Sequence, residues 1–163
     1  MRTLFALMLL LALAGLAAAE EFVIEVPMAA VTEVTYDGST VQRFQVSLPE
    51  GLDGSTLLKA SLRVMAGSGV DSEDDFVEVQ VAEWRAGEPV IPAQKARPVS
   101  LGFEATRPAT IQLDIRPILA DWSGGEPLDL VLGKLSEDCW GDPQITALDA
   151  GAGVLCVLNL VTE

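Results

Sequence analysis

The chain has 163 residues, contains no histidine, and carries 24 acidic against 10 basic residues, a formal net charge of −14 at pH 7. Without histidine it can form neither a Ser-His-Asp nor a Cys-His arrangement, nor a histidine-ligated zinc, copper or iron site. A chain this acidic is repelled by nucleic-acid phosphates and by anionic lipid surfaces, which excludes both classes of partner.

The N-terminus is typical of a cleaved secretory signal. Met1 and Arg2 form a short basic start, an apolar run extends from Leu4 to Leu16, and Ala17–Ala19 form a small-residue cleavage site before Glu20. The apolar run is too short to span a bilayer comfortably, which disfavours the alternative of a retained anchor. We therefore expect a periplasmic or extracellular protein with no membrane insertion after cleavage.

Removal of residues 1–19 leaves 144 of the 163 residues, a typical length for one domain with a full hydrophobic core. Arg2 is lost with the signal, so residues 20–163 carry 9 basic and 24 acidic residues, a net charge of −15. We predict a single acidic domain over residues 20–163. High charge of this kind favours solubility, and some of the carboxylates are candidates for binding a divalent cation.

Alternating apolar and polar residues predict a succession of strands separated by turn residues. The predicted strands cover residues 22–26, 40–48, 58–64, 77–84, 109–115, 128–133 and 154–161. In the second of them Val41, Phe44, Val46 and Leu48 are the candidate inward positions, although the step between Val41 and Phe44 is irregular. The last run is apolar on both faces and suits a central strand. Residues 85–98 contain three prolines and are expected to form a long loop.

Only one segment is predicted to be helical. Pro117 suits a first helical position, while Ile118, Leu119 and Trp122 share one face by their three-and-four spacing. Gly124 and its neighbour then end the turn. Many short strands and one short helix predict an all-β, antiparallel, jelly-roll-like β-sandwich.

Cys139 and Cys156 are the only cysteines, and the expected compartment is oxidising, so we predict a disulfide between them. Closing a loop of this length stabilises a protein by ~3 kcal/mol in the chain-entropy model. A free reactive thiol is the alternative, but nothing basic lies near either cysteine in the sequence to lower its pKa.

The densest acidic cluster follows a glycine-rich stretch. Asp71, Glu73 and Asp75 place carboxylates at alternating positions of a loop, which suits calcium, a cation that takes six to eight oxygen ligands. The alternative is a solvated hairpin tip that binds no metal. Calcium is thus the one candidate cofactor.

A second acidic loop carries an aromatic residue. Trp140 between Asp138 and Asp142 offers a flat apolar face beside hydrogen-bond acceptors, the combination that a sugar-binding site needs. Alternatively, Trp140 covers the predicted disulfide. Trp84 and Trp122 each end an apolar element and are interpreted as plugs at the rim of the core.

Three segments, in this order, resemble the DNRLRE-type β-sandwich modules, which are grouped with carbohydrate-binding module family 96. They are a Leu-Pro-x-Gly turn at 48–51 with its following strand at 58–64, the strand at 77–84 ending in Trp84, and the strand–helix–strand unit at 113–133. The resemblance covers residues 40–161 and implies a secreted jelly-roll-like sandwich, some of whose relatives bind polysaccharide. The function-bearing positions differ, so no ligand residue is carried over.

We therefore expect a non-catalytic binding or surface-structural module that recognises an extracellular polysaccharide or an envelope protein. The alternative is a subunit of an extracellular protein assembly, which would oligomerise through strand edges. A carboxylate-dependent glycan-cleaving enzyme is a third option, and it would show a deep cleft with a perturbed carboxylate.

Overall fold

The computed structural model describes residues 19–68, 76–104, 107–122, 124–148 and 153–163. Most of these residues lie in strands. The strands are β1 (Glu20–Pro27), β2 (Thr32–Tyr36), β3 (Ser39–Val46), β4 (Leu57–Ser68), β5 (Phe76–Arg85), β6 (Glu88–Val90), β7 (Val99–Glu104), β8 (Ala109–Asp114), β9 (Leu128–Gly133), β10 (Pro143–Thr146) and β11 (Val154–Thr162). Short 3₁₀ turns at Met28–Ala30 and Gly54–Thr56 and one α-helix, α1 (Arg116–Ala120), complete the described elements.

The strands form two antiparallel sheets. Sheet A has the order β1-β11-β4-β10, with β8 also paired to β4, and sheet B has the order β2-β3-β9-β5-β6, with β7 also paired to β5. Eight of the strands give the two orders β1-β11-β4-β8 and β3-β9-β5-β7, the four-plus-four arrangement of a jelly roll. The predicted all-β sandwich is confirmed, and β11 is the expected central strand.

The main core lies between the sheets, where alternate residues of each strand face inward. Its largest fully buried side chains are Phe44, Leu62, Leu113, Ile115, Ile118, Leu119, Leu128, Leu130, Leu132, Leu155, Leu158 and Leu160.

Val41 faces the other side of sheet B, although the sequence predicts that it shares the inner face with Phe44 and Val46. The separation of three residues between Val41 and Phe44 places them on opposite faces of a period-two strand. Val41 is fully buried in a second, smaller cluster on the outer face of sheet B. Its buried members are Val41, Ala82, Val131 and Leu135, and the half-buried Val34, Tyr36 and Trp84 pack against them.

Helix α1 forms where the sequence predicts it, with proline in its first turn and Ile118 and Leu119 buried. Gly54 packs so closely against this helix that a Cβ atom there would overlap the carbonyl oxygen of Leu119. No helix in the described part of the chain is long and apolar enough to cross a membrane.

The strands that the sequence analysis missed are β2, β6, β7 and β10. The three-residue β6 and the four-residue β10 are too short for a visible alternation, and β6 lies inside the expected loop at 85–98. Strand β7 does alternate, with Val99, Leu101 and Phe103 on its core-facing side, but the predicted strands did not include this stretch. Pairing with neighbouring strands, rather than local pattern, defines the two shortest strands, β6 and β10.

The prediction of a disulfide is wrong: Cys139 and Cys156 are both buried and both free. Cys156 lies in β11 of sheet A and belongs to the main core. The thiol of Cys139 donates a hydrogen bond to the carbonyl oxygen of Glu78 in β5 of sheet B, with an Sγ–O distance of 3.2 Å. Packed sheets lie about 10 Å apart, beyond the Cα separation of roughly 7 Å that a disulfide tolerates.

Candidate functional site

Two exposed aromatic rings meet at one end of the sandwich. Trp140 is 62% exposed and Phe76 is 48% exposed. The centroids of their rings lie 6.1 Å apart, and the ring planes are nearly perpendicular at 88°. This edge-to-face arrangement is a favoured geometry for aromatic pairs, and it leaves ring surface open to solvent.

The backbone of β5 determines the position of Phe76. Successive residues of a strand face opposite sides, so Phe76 shares the outer face of sheet B with Glu78 and Gln80. Gly102 lies opposite Glu78 in β7, and a Cβ atom at Gly102 would lie 3.9 Å from Cδ1 of Phe76. The ring of Phe76 therefore extends over a position with no side chain, beside an edge strand.

Trp140 belongs to a loop, residues 134–142, whose backbone is tied to the same strand. The amide of Glu78 donates to the carbonyl oxygen of Trp140 at 2.8 Å, and the carbonyl oxygen of Glu78 accepts from the thiol of Cys139. The backbone amide and carbonyl of Glu78 thus hold Trp140 and Cys139, two consecutive residues of the loop. The loop backbone runs beside β5 while the indole stays in solvent.

A buried side chain fixes the first half of the 134–142 loop. Gln80 has 0% exposure, and its Oε1 accepts from the amide of Leu135 at 3.0 Å. Its carboxamide also bonds with the hydroxyl of Ser136, at 3.0 Å from Nε2 and 3.2 Å from Oε1. Leu135 packs into the outer cluster beneath the loop. Side-chain hydrogen bonds and apolar contacts therefore both hold the loop on sheet B.

The predicted site residues of this loop divide between two surfaces. Asp138 and Asp142 are both exposed, and Asp142 also lines a cleft that contains Gln42 and Gln144. Trp140 faces Phe76 instead. Since Cys139 is free, the interpretation of Trp140 as the cover of a disulfide is wrong, and its interpretation as a ligand contact stays a prediction.

Charged groups beside the aromatic pair are already paired or exposed. Glu78 is buried on the outer face of sheet B, and its Oε1 lies 3.4 Å from Nη2 of Arg97. Glu104 lies opposite Phe76 on β7 and is exposed. Polar side chains thus surround the aromatic pair, as they usually surround the apolar contact surface of a binding site.

The shifted carboxyl groups do not resemble a general acid, which would need a raised pKa. The amide of Ser55 holds the pKa of Asp53 below its ordinary value, and the guanidinium of Arg116 does the same for Asp114. Partial burial acts to raise the pKa of Asp129, but hydrogen bonds from Arg43 and Gln45 outweigh it and the pKa is lowered. Each shift stabilises the ionised form.

The two thiols are poor nucleophiles. Burial, reinforced by the charge of Glu78, raises the pKa of Cys139 to about 11. Burial alone raises the pKa of Cys156 to about 12. Because the thiolate is the reactive species, neither cysteine suits covalent catalysis at neutral pH.

The candidate calcium ligands Asp71, Glu73 and Asp75 lie outside the described residues. Among the residues that the structure describes, no group of three or more Asp, Glu, Cys or His side chains is placed to hold a metal ion. The prediction of calcium at 71–75 therefore stays a prediction.

The other two tryptophans serve the cores, as predicted for rim plugs. Trp122 is half-buried against the main core at the end of the sandwich that carries α1. Trp84 packs on the outer cluster, 5.9 Å from the ring of Tyr36, with the guanidinium of Arg43 also 5.9 Å from its centroid. Neither ring has the open surface of Trp140.

Phe76 is the residue of this site that the sequence analysis missed. The alternation of Val77, Val79 and Val81 toward the core is visible in the sequence, and extending it by one residue places Phe76 on the outer face. The alternation does not predict that Trp140 is the aromatic partner of Phe76. Trp140 reaches β5 only because the 134–142 loop brings the chain back to that strand.

No protein-family model matches the chain, and no curated protein matches it. The resemblance to the DNRLRE-type modules therefore stays a prediction. The described residues establish that the chain has an antiparallel jelly-roll sandwich with an exposed Phe76–Trp140 pair at one end.

Proposed function

We propose that this protein is a secreted, non-catalytic module that binds an extracellular polysaccharide through Phe76 and Trp140. The observation that carries the proposal is the exposed pair itself. Phe76 is 48% exposed and Trp140 is 62% exposed, so a ligand that covers the two rings removes a large apolar surface from water. Sugar rings have apolar faces that stack on aromatic side chains, while their hydroxyls need polar neighbours.

The rigidity of the site supports binding. The backbone of Glu78 holds Trp140 and Cys139, and the side chain of Gln80 holds the start of the same loop. A contact surface that is already ordered loses little conformational entropy when a ligand arrives. The signal-like residues 1–19 support the periplasmic or extracellular location that the proposal includes.

The three carboxyl groups whose pKa is shifted, together with the two thiols, favour binding over catalysis. The shifted carboxyl groups are stabilised in their ionised forms, and both thiols are stabilised in their protonated forms. A glycosidase needs a carboxylic acid that stays protonated near neutral pH. The proposal of a non-catalytic role is therefore preferred to that of a glycan-cleaving enzyme.

The test is affinity electrophoresis of the purified protein on a panel of neutral, amino-bearing and acidic polysaccharides. We expect saturable binding to at least one polymer. The affinity should fall tenfold or more in Trp140→Ala and by a smaller factor in Phe76→Ala. Leu58→Ala is the matched control, because Leu58 is 49% exposed but lies at the start of β4, away from the pair. Unchanged migration on every polymer, or binding that survives both aromatic substitutions, would contradict the proposal.

A further inference from the structure

A polar cleft of about 470 Å³ opens between the two sheets, beside the loop that carries Trp140. One wall belongs to sheet B, from β2, β3 and the end of β9, and the other comes from Asp142 and the first residues of β10 in sheet A. A cleft of this size suits a small polar group of a ligand or a single sugar unit. The described residues that line it are Glu33, Gly38, Ser39, Thr40, Gln42, Leu132, Gly133, Asp142, Pro143, Gln144 and Ile145.

The lining of the cleft is rich in hydrogen-bond acceptors. It contains two carboxylates, from Glu33 and Asp142, as well as two carboxamides and two hydroxyls. None of the described lining residues is lysine or arginine. Such a surface attracts donors such as hydroxyl and ammonium groups and repels carboxylates and sulfates.

Gln42 supplies an acceptor that the folded chain leaves without a partner. Its Oε1 atom is buried and has no hydrogen bond from any described group. Gln42 is two residues from Phe44 in β3, so both side chains point to the inner side of sheet B. A buried carbonyl oxygen without a donor costs free energy. Because this atom is inaccessible in the folded chain, the carboxamide has to turn toward the cleft before a ligand donor reaches it and recovers that cost on binding.

The cleft and the aromatic pair are close along the chain. Asp142 lines the cleft two residues after Trp140, and two residues span at most about 7 Å. The cleft thus begins within about 7 Å of the backbone of Trp140, which is within the reach of neighbouring units of one polymer. We propose that the cleft binds a neutral or amino-bearing sugar unit of that polymer, with one of its hydroxyl groups donating to Oε1 of Gln42.

This inference rests on the proposed function, and it adds the ligand class. Uronic-acid and sulfated polymers are excluded, because their anionic groups would face Glu33 and Asp142 without a compensating cation in the described lining. Neutral polymers satisfy Gln42 through hydroxyl groups. Amino-bearing polymers gain an additional interaction with the two carboxylates.

The test compares Gln42→Leu with the control Gln112→Leu, whose parent side chain is exposed on β8 of the other sheet. The probes are laminarin, chitosan and polygalacturonate as neutral, amino-bearing and anionic polymers. We expect binding of laminarin or chitosan to fall at least tenfold in Gln42→Leu and to be unchanged in Gln112→Leu. Polygalacturonate should bind neither the unaltered protein nor the variants.

A second readout does not depend on affinity. The side-chain amide signal of Gln42 in a ¹H–¹⁵N spectrum should shift when a soluble laminarin oligosaccharide is added, and the backbone signals should show that the fold of Gln42→Leu is intact. Binding that is lost in Trp140→Ala but kept in Gln42→Leu, with no shift of the Gln42 signal, overturns the proposal that the cleft binds a sugar unit. The proposed function then still stands. Binding to polygalacturonate alone overturns the ligand class, and no binding to any polymer overturns both proposals.

Discussion

Replacing Gln80 by leucine tests how the 134–142 loop is held. The substitution keeps the approximate volume of a side chain with 0% exposure, so it creates little cavity, but it removes the acceptor of the Leu135 amide and the partner of Ser136. A buried amide left without an acceptor costs about 1–3 kcal/mol. We take about 2 kcal/mol as the expected loss, because the hydroxyl of Ser136 is only partly buried and can turn to water.

The assay combines urea-induced and thermal unfolding with hydrogen exchange of the Leu135 amide. A loss of 2 kcal/mol lowers the melting temperature by roughly 6 °C for a chain of this size. The Leu135 amide should exchange faster, while amides of β4 and β11 should lose protection only by the global change. Gln112→Leu, an exposed control on β8, should stay within about 0.5 kcal/mol of the unaltered protein. Unchanged stability with a still-protected Leu135 amide would refute this account of the loop.

Three further predictions concern the thiols, an ion pair and a close contact. The pKa values of Cys139 and Cys156 are raised to about 11 and about 12, so neither thiol should react with a disulfide reagent in the native protein at pH 8. Both thiols should react after unfolding in guanidinium. A thiol that reacts fast in the native protein would contradict this prediction. The lowered pKa of Asp129 adds stability above its unfolded value of about 3.9, and this stability is lost as the pH falls through the folded value. Asp129→Asn should therefore cost about 1 kcal/mol at pH 7 in thermal unfolding and less at pH 3, and an equal cost at both would be inconsistent with the pairing to Arg43. Gly54→Ala should lower the free energy of unfolding by about 2–3 kcal/mol, because the added Cβ overlaps the Leu119 carbonyl. Gly102→Ala is the control and should be tolerated, because the nearest neighbours of its Cβ lie at 3.9 Å. Equal melting temperatures for the two variants would refute the close contact at Gly54.

The architecture was largely predictable because burial on one face produces a visible alternation. The segments at 58–64, 77–84 and 109–115 alternate clearly, and all three are strands of the sandwich. The short helix was predictable from Pro117 and the spacing of its apolar residues. The edge strands β6 and β10 were not, because three or four residues carry too little pattern to separate a strand from a loop.

The candidate site was predictable only in part. A loop tryptophan between acidic residues is visible in the sequence, but only the structure shows that Trp140 is exposed. Its partner Phe76 lies 64 positions earlier and is brought to it by long-range pairing. The disulfide was predicted from compartment and cysteine number, and neither feature contains the information that one cysteine contacts β5 while the other lies in β11.

The central claim is that the exposed Phe76–Trp140 pair binds polysaccharide. The most direct measurement is the indole fluorescence of the full chain during titration with laminarin and with chitosan, repeated on Trp140→Ala and on Leu58→Ala. The account predicts a saturable change with one or both polymers that disappears in Trp140→Ala and persists in Leu58→Ala. A change that persists in Trp140→Ala, or no change with either polymer, would contradict it.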